Sequence, residues 1–211
     1  MIRVIICDDH PIVREGVRMI IGKEKDISLE EEASSGQELL SKLAAHHCNV
    51  IILDIALPGG LDGIELLKTL SRDHPRTPVL VMSMHPESQL GLRALRAGAA
   101  GYLVKGSEPS ELVTAIRKIA SGGRYVSASL AEQLAEEVSS KKTRSPHEKL
   151  SDREYRVLCL LASGKGVTEI AAELFLSPAT VGTYRSRVLA KLSLNNTAEL
   201  VRYAVEHHLL D

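Results

Sequence analysis

Five polar residues stand where a short apolar run stops. Val4-Ile5-Ile6-Cys7 runs into Asp8-Asp9, and Val50-Ile51-Ile52-Leu53 runs into Asp54. Val79-Leu80-Val81-Met82 ends at Ser83, and Gly101-Tyr102-Leu103-Val104 ends at Lys105. Three carboxylates brought together repel one another unless a cation joins them, and an oxygen-rich site of this kind suits Mg²⁺. A lysine and a hydroxyl beside them would hold a tetrahedral anion. The chemistry that uses such a set is phosphoryl transfer onto or through a carboxylate, with Mg²⁺ and Lys105 neutralising developing charge. Taken singly, each residue has a bland reading: a solvated Asp-Asp turn, a helix-capping Asp54, a Ser83 bonded to backbone, a surface Lys105. Their joint placement is what argues for function.

Placing them together requires a particular set of elements. The four apolar runs read as strands, and Ile27 to Ala33 alternates like an edge strand. Between them, residues 12–21, 36–45, 63–70, 90–97 and 109–120 carry helical spacing. Strands alternating with helices imply βαβ units and a parallel sheet. The expected fold class is therefore α/β, a doubly wound, flavodoxin-like five-stranded parallel sheet. Ligands of such sheets sit beyond the carboxyl ends of the strands, where the five polar residues stand.

The chain then changes character. Residues 123–148 read as a linker with one short helix, bearing Leu130, Leu134 and Val138 on one face, before a polar run around Pro146. Residues 149–211 read as an all-α unit of four helices. Ser151-Asp-Arg-Glu154 is a capping box, and its helix stops at Gly164 and Gly166. A short helix over 168–175 follows, then Ser177-Pro178 heads a third helix to about Leu192. Asn196-Thr-Ala-Glu199 caps a fourth, ending near His208. Two helices joined by a tight turn, the second capped by Ser-Pro, form a helix-turn-helix candidate. On a helical wheel Val181, Val188 and Leu192 share one face of the third helix. The opposite face presents Gly182, Thr183, Ser186, Arg187 and Ala190, small enough for close approach to a groove. Arg185, Lys191 and the helix N-terminus could reach phosphates.

Composition narrows the classes. The 211 residues hold 26 Lys/Arg against 27 Asp/Glu, so the whole chain is no basic nucleic-acid glue. Residues 141–211 hold 11 Lys/Arg against 8 Asp/Glu, a slightly basic back behind an acidic front. Cys7, Cys48 and Cys159 fit neither a disulfide framework nor a zinc spacing, and a reduced cytoplasm is the expected location. No apolar run approaches the ~20 residues that span a bilayer, so no membrane partner is expected. His46-His47 and His207-His208 diverge on a helix. His10 and His85 flank the acidic site, where magnesium has little use for imidazole, and all read as surface histidines.

Residues 1–122 resemble the receiver domain of bacterial two-component response regulators. Asp8-Asp9, Asp54 followed by Pro58, Ser83, and Lys105 preceded by Tyr102 fall in family order. Residues 149–211 resemble the LuxR-type DNA-binding domain through Leu150-Ser-Asp-Arg-Glu154, Glu169-Ile-Ala, Leu176-Ser-Pro-Ala-Thr-Val181 and Lys191-Leu. The arrangement is similar to the NarL/FixJ class, and Tyr184-Arg185-Ser186-Arg187 with Ser177-Pro178 looks closest to the GacA/UvrY branch.

The resemblance implies specific roles. Asp54 would accept a phosphoryl group from phosphohistidine of a sensor histidine kinase. Asp9, Asp54 and the carbonyl of Ala56 would bind Mg²⁺, with Asp8 acting through water. Lys105 and Ser83 would hold the phosphoryl group, and Tyr102 would move to a buried rotamer as Ser83 moves inward. In the output domain, Thr180, Gly182, Thr183, Tyr184, Arg185, Ser186, Arg187 and Lys191 would meet double-stranded DNA at a two-fold promoter site. Leu200, Tyr203, Ala204 and His207 would pair two subunits, or Leu200, Ala204 and Leu209 would complete a small core; both can hold. The expected partners are DNA, the sensor kinase, a second copy once phosphorylated, and RNA polymerase. The expected role is a transcriptional regulator rather than an enzyme.

Three departures from the family pattern stand out. The loop from Asp54 to Gly63 is one residue longer than usual, with an extra glycine. Met84 follows Ser83 where small residues occur in other members, and could obstruct water. Gly182 replaces a lysine common in NarL-like members, so the target sequence does not carry over. Two other readings stay open on the residues: a Mg²⁺-dependent phosphatase or phosphotransferase with Asp54 as nucleophile, and a helical domain that binds protein.

Overall fold

Each apolar run forms the strand its β-branched residues favour. The computed structural model describes residues 1–57, 63–139, 146–207 and 209. The extra glycine of the 54–63 loop therefore lies outside the described residues, as do Pro58 and His208. Strands β1 (Ile2–Cys7), β2 (Ile27–Ala33), β3 (Val50–Leu53), β4 (Val79–Ser83) and β5 (Gly101–Val104) alternate with helices α1 (Pro11–Ile21), α2 (Gly36–Ala45), α3 (Gly63–Asp73), α4 (Glu87–Arg96) and α5 (Pro109–Ala120). All pairings are parallel and the order is β2-β1-β3-β4-β5. The expected edge strand β2 is at an edge.

Successive strand residues point to opposite faces, and the two faces build two cores. Ile5, Cys7, Ile51, Leu53, Val79 and Val81 pack with Leu39 of α2, Leu66, Leu67 and Leu70 of α3, and Ala94 of α4. Val4, Ile6, Val50, Ile52, Leu80 and Met82 pack with Val17 and Ile21 of α1 and with Leu112, Ile116 and Ile119 of α5. Burial raises the Cys7 thiol to about 12, so it serves as packing.

The next helix, α6 (Ala128–Ser139), continues this unit. Ser127 Oγ accepts from Leu130 N–H at 3.0 Å. Leu130 is buried in the same core as α2, α3 and α4, close to Gly91 of α4. Ahead of it, Tyr125 bridges to Gly101 on the outer side of β5. Tyr102 N–H donates to the Tyr125 carbonyl at 3.1 Å, and Tyr125 N–H donates to the Ala100 carbonyl at 3.0 Å.

The second unit begins with a 3₁₀ turn at Pro146–Lys149 and continues through α7 (Asp152–Ala162), α8 (Val167–Glu173), α9 (Pro178–Leu192) and α10 (Thr197–Glu206). The expected caps are present. Glu154 N–H donates to Ser151 Oγ at 3.3 Å, and Ser151 N–H donates to Glu154 Oε2 at 2.7 Å. Ser177 Oγ accepts from Thr180 N–H at 3.1 Å, and Asn196 Oδ1 accepts from Glu199 N–H at 2.9 Å. Val157, Leu158, Ile170, Val181, Val188 and Leu200 are among the buried residues of this unit. No helix among the described residues is long and apolar enough to cross a membrane.

α8 stops two residues before Phe175, where a helix to that position is expected from spacing. Phe175 takes φ +53°, a left-handed conformation that L residues adopt at a cost of roughly 1–2 kcal/mol. The residue is 67% exposed and recovers little of that cost by burial. Phe175→Gly should therefore stabilise this unit by about 0.5–1 kcal/mol, after the larger unfolded-state entropy of glycine is subtracted. Thermal unfolding of the two chains checks it; a lower melting point for the glycine variant would show that the ring has a packing role.

Candidate functional site

The sheet register gathers the polar strand ends. Asp54 N–H donates to the Cys7 carbonyl at 2.9 Å, tying β3 to β1 at the point where both strands turn acidic. Lys105 N–H donates to the Ser83 carbonyl at 2.7 Å, doing the same for β5 and β4. Asp8, Asp54 and Ser83 are buried. The side chain of Lys105, 6% exposed, extends back across the sheet edge to place Nζ 2.6 Å from Asp54 Oδ2 and 2.8 Å from Asp8 Oδ2. The other Asp54 oxygen accepts from Ala56 N–H at 2.8 Å.

Charge balance in this pocket is incomplete. Burial pushes the Asp54 carboxyl above the usual carboxylate range, against the hydrogen bonds from Lys105 and Ala56 that favour its charged form. Burial also disfavours the Lys105 ammonium, yet hydrogen bonds to Asp54 and Asp8 outweigh it and hold its pKa above the ordinary lysine value. Lys105 thus faces two buried carboxylates, Asp54 and Asp8, with Asp9 beside them. Asp8 Oδ2 and Asp9 Oδ1 are buried without an aligned hydrogen bond, although Lys105 Nζ lies close to the first and His10 Nδ1 to the second. Each oxygen has one nitrogen neighbour and spare acceptor capacity, which a divalent cation would fill. Asp8, Asp9, His10 and Asp54 can each offer one ligand atom within 4.8 Å of the others. The acidic cluster is thus able to bind a metal.

Ser83 and Tyr102 lie beside the cluster. Ser83 Oγ accepts from His85 N–H at 3.2 Å, and Tyr102 O–H donates to the His85 carbonyl at 2.8 Å. The ring of Tyr102 is in the buried rotamer. Met84, by contrast, is 69% exposed immediately after Ser83. Two groups at the site escape sequence reasoning as partners. Arg14 Nη1 donates to the Asp8 carbonyl at 2.7 Å, one helical turn beyond the acid pair. His10, read from sequence as a surface histidine, is 58% exposed yet has its ring nitrogen against both acids. Its position directly after Asp8-Asp9 and before Pro11 is the signal that could have marked it.

In the second unit, α8, the Phe175 turn and α9 form a helix-turn-helix. Val181, Val188 and Leu192 are buried, and Thr183, Ser186, Arg187, Ala190 and Lys191 are exposed, as the wheel predicts. Thr180, Gly182, Tyr184 and Arg185 are half-buried, and a Cβ at Gly182 would meet open space. Two expected phosphate contacts are engaged inside the unit. Arg185 Nε donates to Thr197 Oγ1 at 3.0 Å, and Lys191 Nζ lies 2.6 Å from Oε2 of the buried Glu154. On α10, Leu200 and Ala204 are fully buried in this unit's own core, which is the packing alternative. Of the expected pairing face, half-buried Tyr203 and exposed His207 remain accessible, their rings 4.2 Å apart, with Tyr203 OH 3.0 Å from Nδ1 of His147.

Residues 4–117 match the response regulator receiver domain, and residues 148–204 match the luxR family of bacterial regulatory proteins. The chain is 37% identical over 210 residues to response regulator UvrY of Escherichia coli K12, across 99% of this chain and 96% of that protein. It is also 37% identical over 211 residues to response regulator GacA of Pseudomonas protegens, across 100% and 99% of the two. A solved structure of RcsB from Salmonella enterica serovar Typhimurium, bound to promoter rprA in the presence of phosphomimetic BeF₃⁻, aligns with TM-score 0.66 and 28% identity over 96% of this chain and 97% of that one. Because the likeness runs through both units and over nearly the full length of each relative, the chain belongs to the two-component response regulators that carry a LuxR-type DNA-binding domain.

Proposed function

We propose that phosphorylation of Asp54 by a sensor histidine kinase switches this regulator to a dimer that binds a two-fold promoter site. The observation that carries the reading is Lys105 Nζ bridging the buried carboxylates of Asp54 and Asp8, with Asp9 in the same cluster. In the transfer step an Asp54 oxygen forms the new P–O bond as the P–N bond of phosphohistidine breaks, and the departing imidazole keeps the electron pair and takes up a proton. Asp8, Asp9, Asp54 and the carbonyl of Ala56 fit Mg²⁺, which when bound neutralises phosphoryl oxygens. Lys105 then exchanges its bond to Asp54 for one to the phosphoryl group. Ser83 O–H donates to a phosphoryl oxygen, and Oγ moves relative to the His85 N–H that it accepts. Because Tyr102 holds the His85 carbonyl, that movement reaches the segment between β4 and α4 directly.

For the output step, α9 enters the major groove with Thr180, Gly182, Thr183, Tyr184, Ser186 and Arg187. Arg185 and Lys191 keep further N–H donors for phosphates beyond their bonds to Thr197 and Glu154. Tyr203 and His207 supply the accessible pairing surface of α10. The promoter-bound RcsB structure, obtained with a phosphomimetic, supports the link between the two units' activities. The setting is the cytoplasm, and a promoter-bound dimer would meet RNA polymerase.

The test compares wild type and Asp54→Asn for binding to genomic fragments, with and without Mg²⁺ plus a small phosphodonor. The donor should tighten wild-type binding and leave Asp54→Asn unchanged. Affinity should fall steeply with salt, as phosphate contacts require. Equal binding in all four cases would remove Asp54 as the control point. Salt-independent retention, or none, would point to a protein partner instead. Met84 adds a kinetic expectation. Its exposed side chain beside Ser83 shields the phosphoryl group from water, so Met84→Ala should lose phosphate severalfold faster, read as phosphate release from the phosphorylated chain. An unchanged rate would show that Met84 does not limit water access.

A further inference from the structure

We propose that the receiver unit binds a small phosphate monoester in a cavity at the amino ends of β3, β4 and β5. The cavity is about 500 Å³, within the range of roughly 300–1,000 Å³ that small-molecule sites occupy. Three connections meet at it: residues 74–78 between α3 and β4, residues 98–100 between α4 and β5, and residues 122–124 after α5. It lies at the opposite edge of the sheet from Asp54, since β4 and β5 start here and run to Ser83 and Val104.

Charge identifies the ligand. The lining carries Arg76, Arg124 and His74 and no Asp or Glu. Elsewhere in this unit Arg14, Arg18, Arg72 and Arg117 each pair with a carboxylate. Among the described residues, Arg76 and Arg124 have no such partner. Asp73, next to His74, is bonded to Arg72 at 2.7 Å and does not line the cavity. A guanidinium stays charged at any working pH, so two of them without a carboxylate leave the cavity positive. Arg124 is held in place all the same: Nη1 donates to the Ala99 carbonyl at 3.1 Å, which leaves its other N–H groups for a ligand. Two guanidinium forks from separate connections, with the hydroxyls of Ser71 and Thr77, offer more donors than one carboxylate accepts. A phosphate monoester brings about two negative charges and three terminal oxygens to meet them. The cavity is larger than a bare phosphate, and Val79, Ile119 and Ala120 give it apolar lining for the organic part.

The experiment titrates the full-length chain, without Mg²⁺, with adenosine monophosphate, inorganic phosphate and succinate by calorimetry, and follows backbone amide shifts by NMR. Adenosine monophosphate should bind most tightly. It should move the amides of Ala100, Gly123 and Arg124 more than those of Asp9 and Ala56. Arg76 and Arg124 are exposed, so substitutions there keep the fold. Arg76→Gln and Arg124→Gln should each weaken adenosine monophosphate roughly tenfold. Arg124→Lys should recover only part of that loss, because an ammonium lacks the fork. Arg72→Gln, the nearby paired arginine, should change the affinity by less than about twofold. Asp54→Asn should bind as wild type does, so failure of the phosphorylation reading leaves this site standing. No binding of either phosphate, or shifts confined to the acidic cluster or to α9, would overturn the site. Succinate binding as tightly as adenosine monophosphate would overturn a phosphate as its ligand. Equal losses in Arg72→Gln and Arg124→Gln would reduce the cavity to a diffuse positive surface.

Discussion

Lys105→Met should lower the stability of the receiver unit by roughly 3–5 kcal/mol and abolish its response to a phosphodonor. The ammonium is the positive group that faces both Asp54 and Asp8, at 2.6 and 2.8 Å, and both carboxylates are buried. Its removal leaves two neighbouring buried carboxylates without the ammonium that joins them. Divalent cation is the available substitute, so adding Mg²⁺ should raise the melting temperature of Lys105→Met by more than it raises that of wild type. Thermal unfolding with and without Mg²⁺ reads both effects. An equal Mg²⁺ response in the two chains would mean that the cation does not meet these carboxylates. Phosphorylation, followed by mass, should continue slowly in the variant, since Asp54 remains, while promoter binding stays at its unstimulated level.

Glu154→Ala should destabilise the helical unit by about 2 kcal/mol and remove DNA binding without affecting phosphorylation of Asp54. The buried carboxylate caps α7 through Ser151 N–H and binds Lys191 at the far end of α9, so one side chain fixes the start of one helix to the end of another. Lys191 is half-exposed, which keeps the expected cost below that of a fully buried pair. Lys191→Met should reproduce only part of the loss, since the cap survives. Burial works against the Glu154 anion, but its bonds to Lys191 and Ser151 prevail and hold its pKa below the usual glutamate range. A carboxyl lowered in the folded state contributes stability above its unfolded value of about 4.3, and loses it as the pH falls through the lower folded value. The helical unit should therefore weaken below about pH 4 in wild type and do so with a smaller slope in Glu154→Gln. Identical slopes would place the acid sensitivity elsewhere.

The contrast between these residues explains what could be read from the sequence. Asp8, Asp9, Asp54, Ser83 and Lys105 each end an apolar run, so the rule that ligands lie beyond strand carboxyl ends finds them without any knowledge of strand order. The edge position of β2 follows from the charge at Glu30, Glu31 and Glu32, which one side of a covered strand would not tolerate. The buried stripe of α9 follows from its period alone. Pairings fixed by tertiary geometry left no such mark. Glu154 and Lys191 are 37 residues apart, and nothing in either neighbourhood indicates that the capping glutamate also holds a lysine expected on DNA. Arg185 likewise reads as a phosphate contact until Thr197 is brought beside it. Residues 123–148 read as a linker because their composition is polar; the apolar face of Leu130, Leu134 and Val138 marks a short helix there but does not say which surface it meets.

The bridge from Tyr125 to β5 bears on how the receiver can be handled in isolation. An outer strand presents a row of unsatisfied backbone groups, a template for a neighbouring chain. Here the main chain around Tyr125 occupies part of that row, and Leu130 seals the apolar surface beneath it. A fragment cut at residue 122, where the family resemblance ends, would strip away both. It would expose the margin of β5 and a gap beside Gly91, and would tend to stack through that margin into insoluble assemblies. A fragment carried to Ser139 keeps its own margin covered.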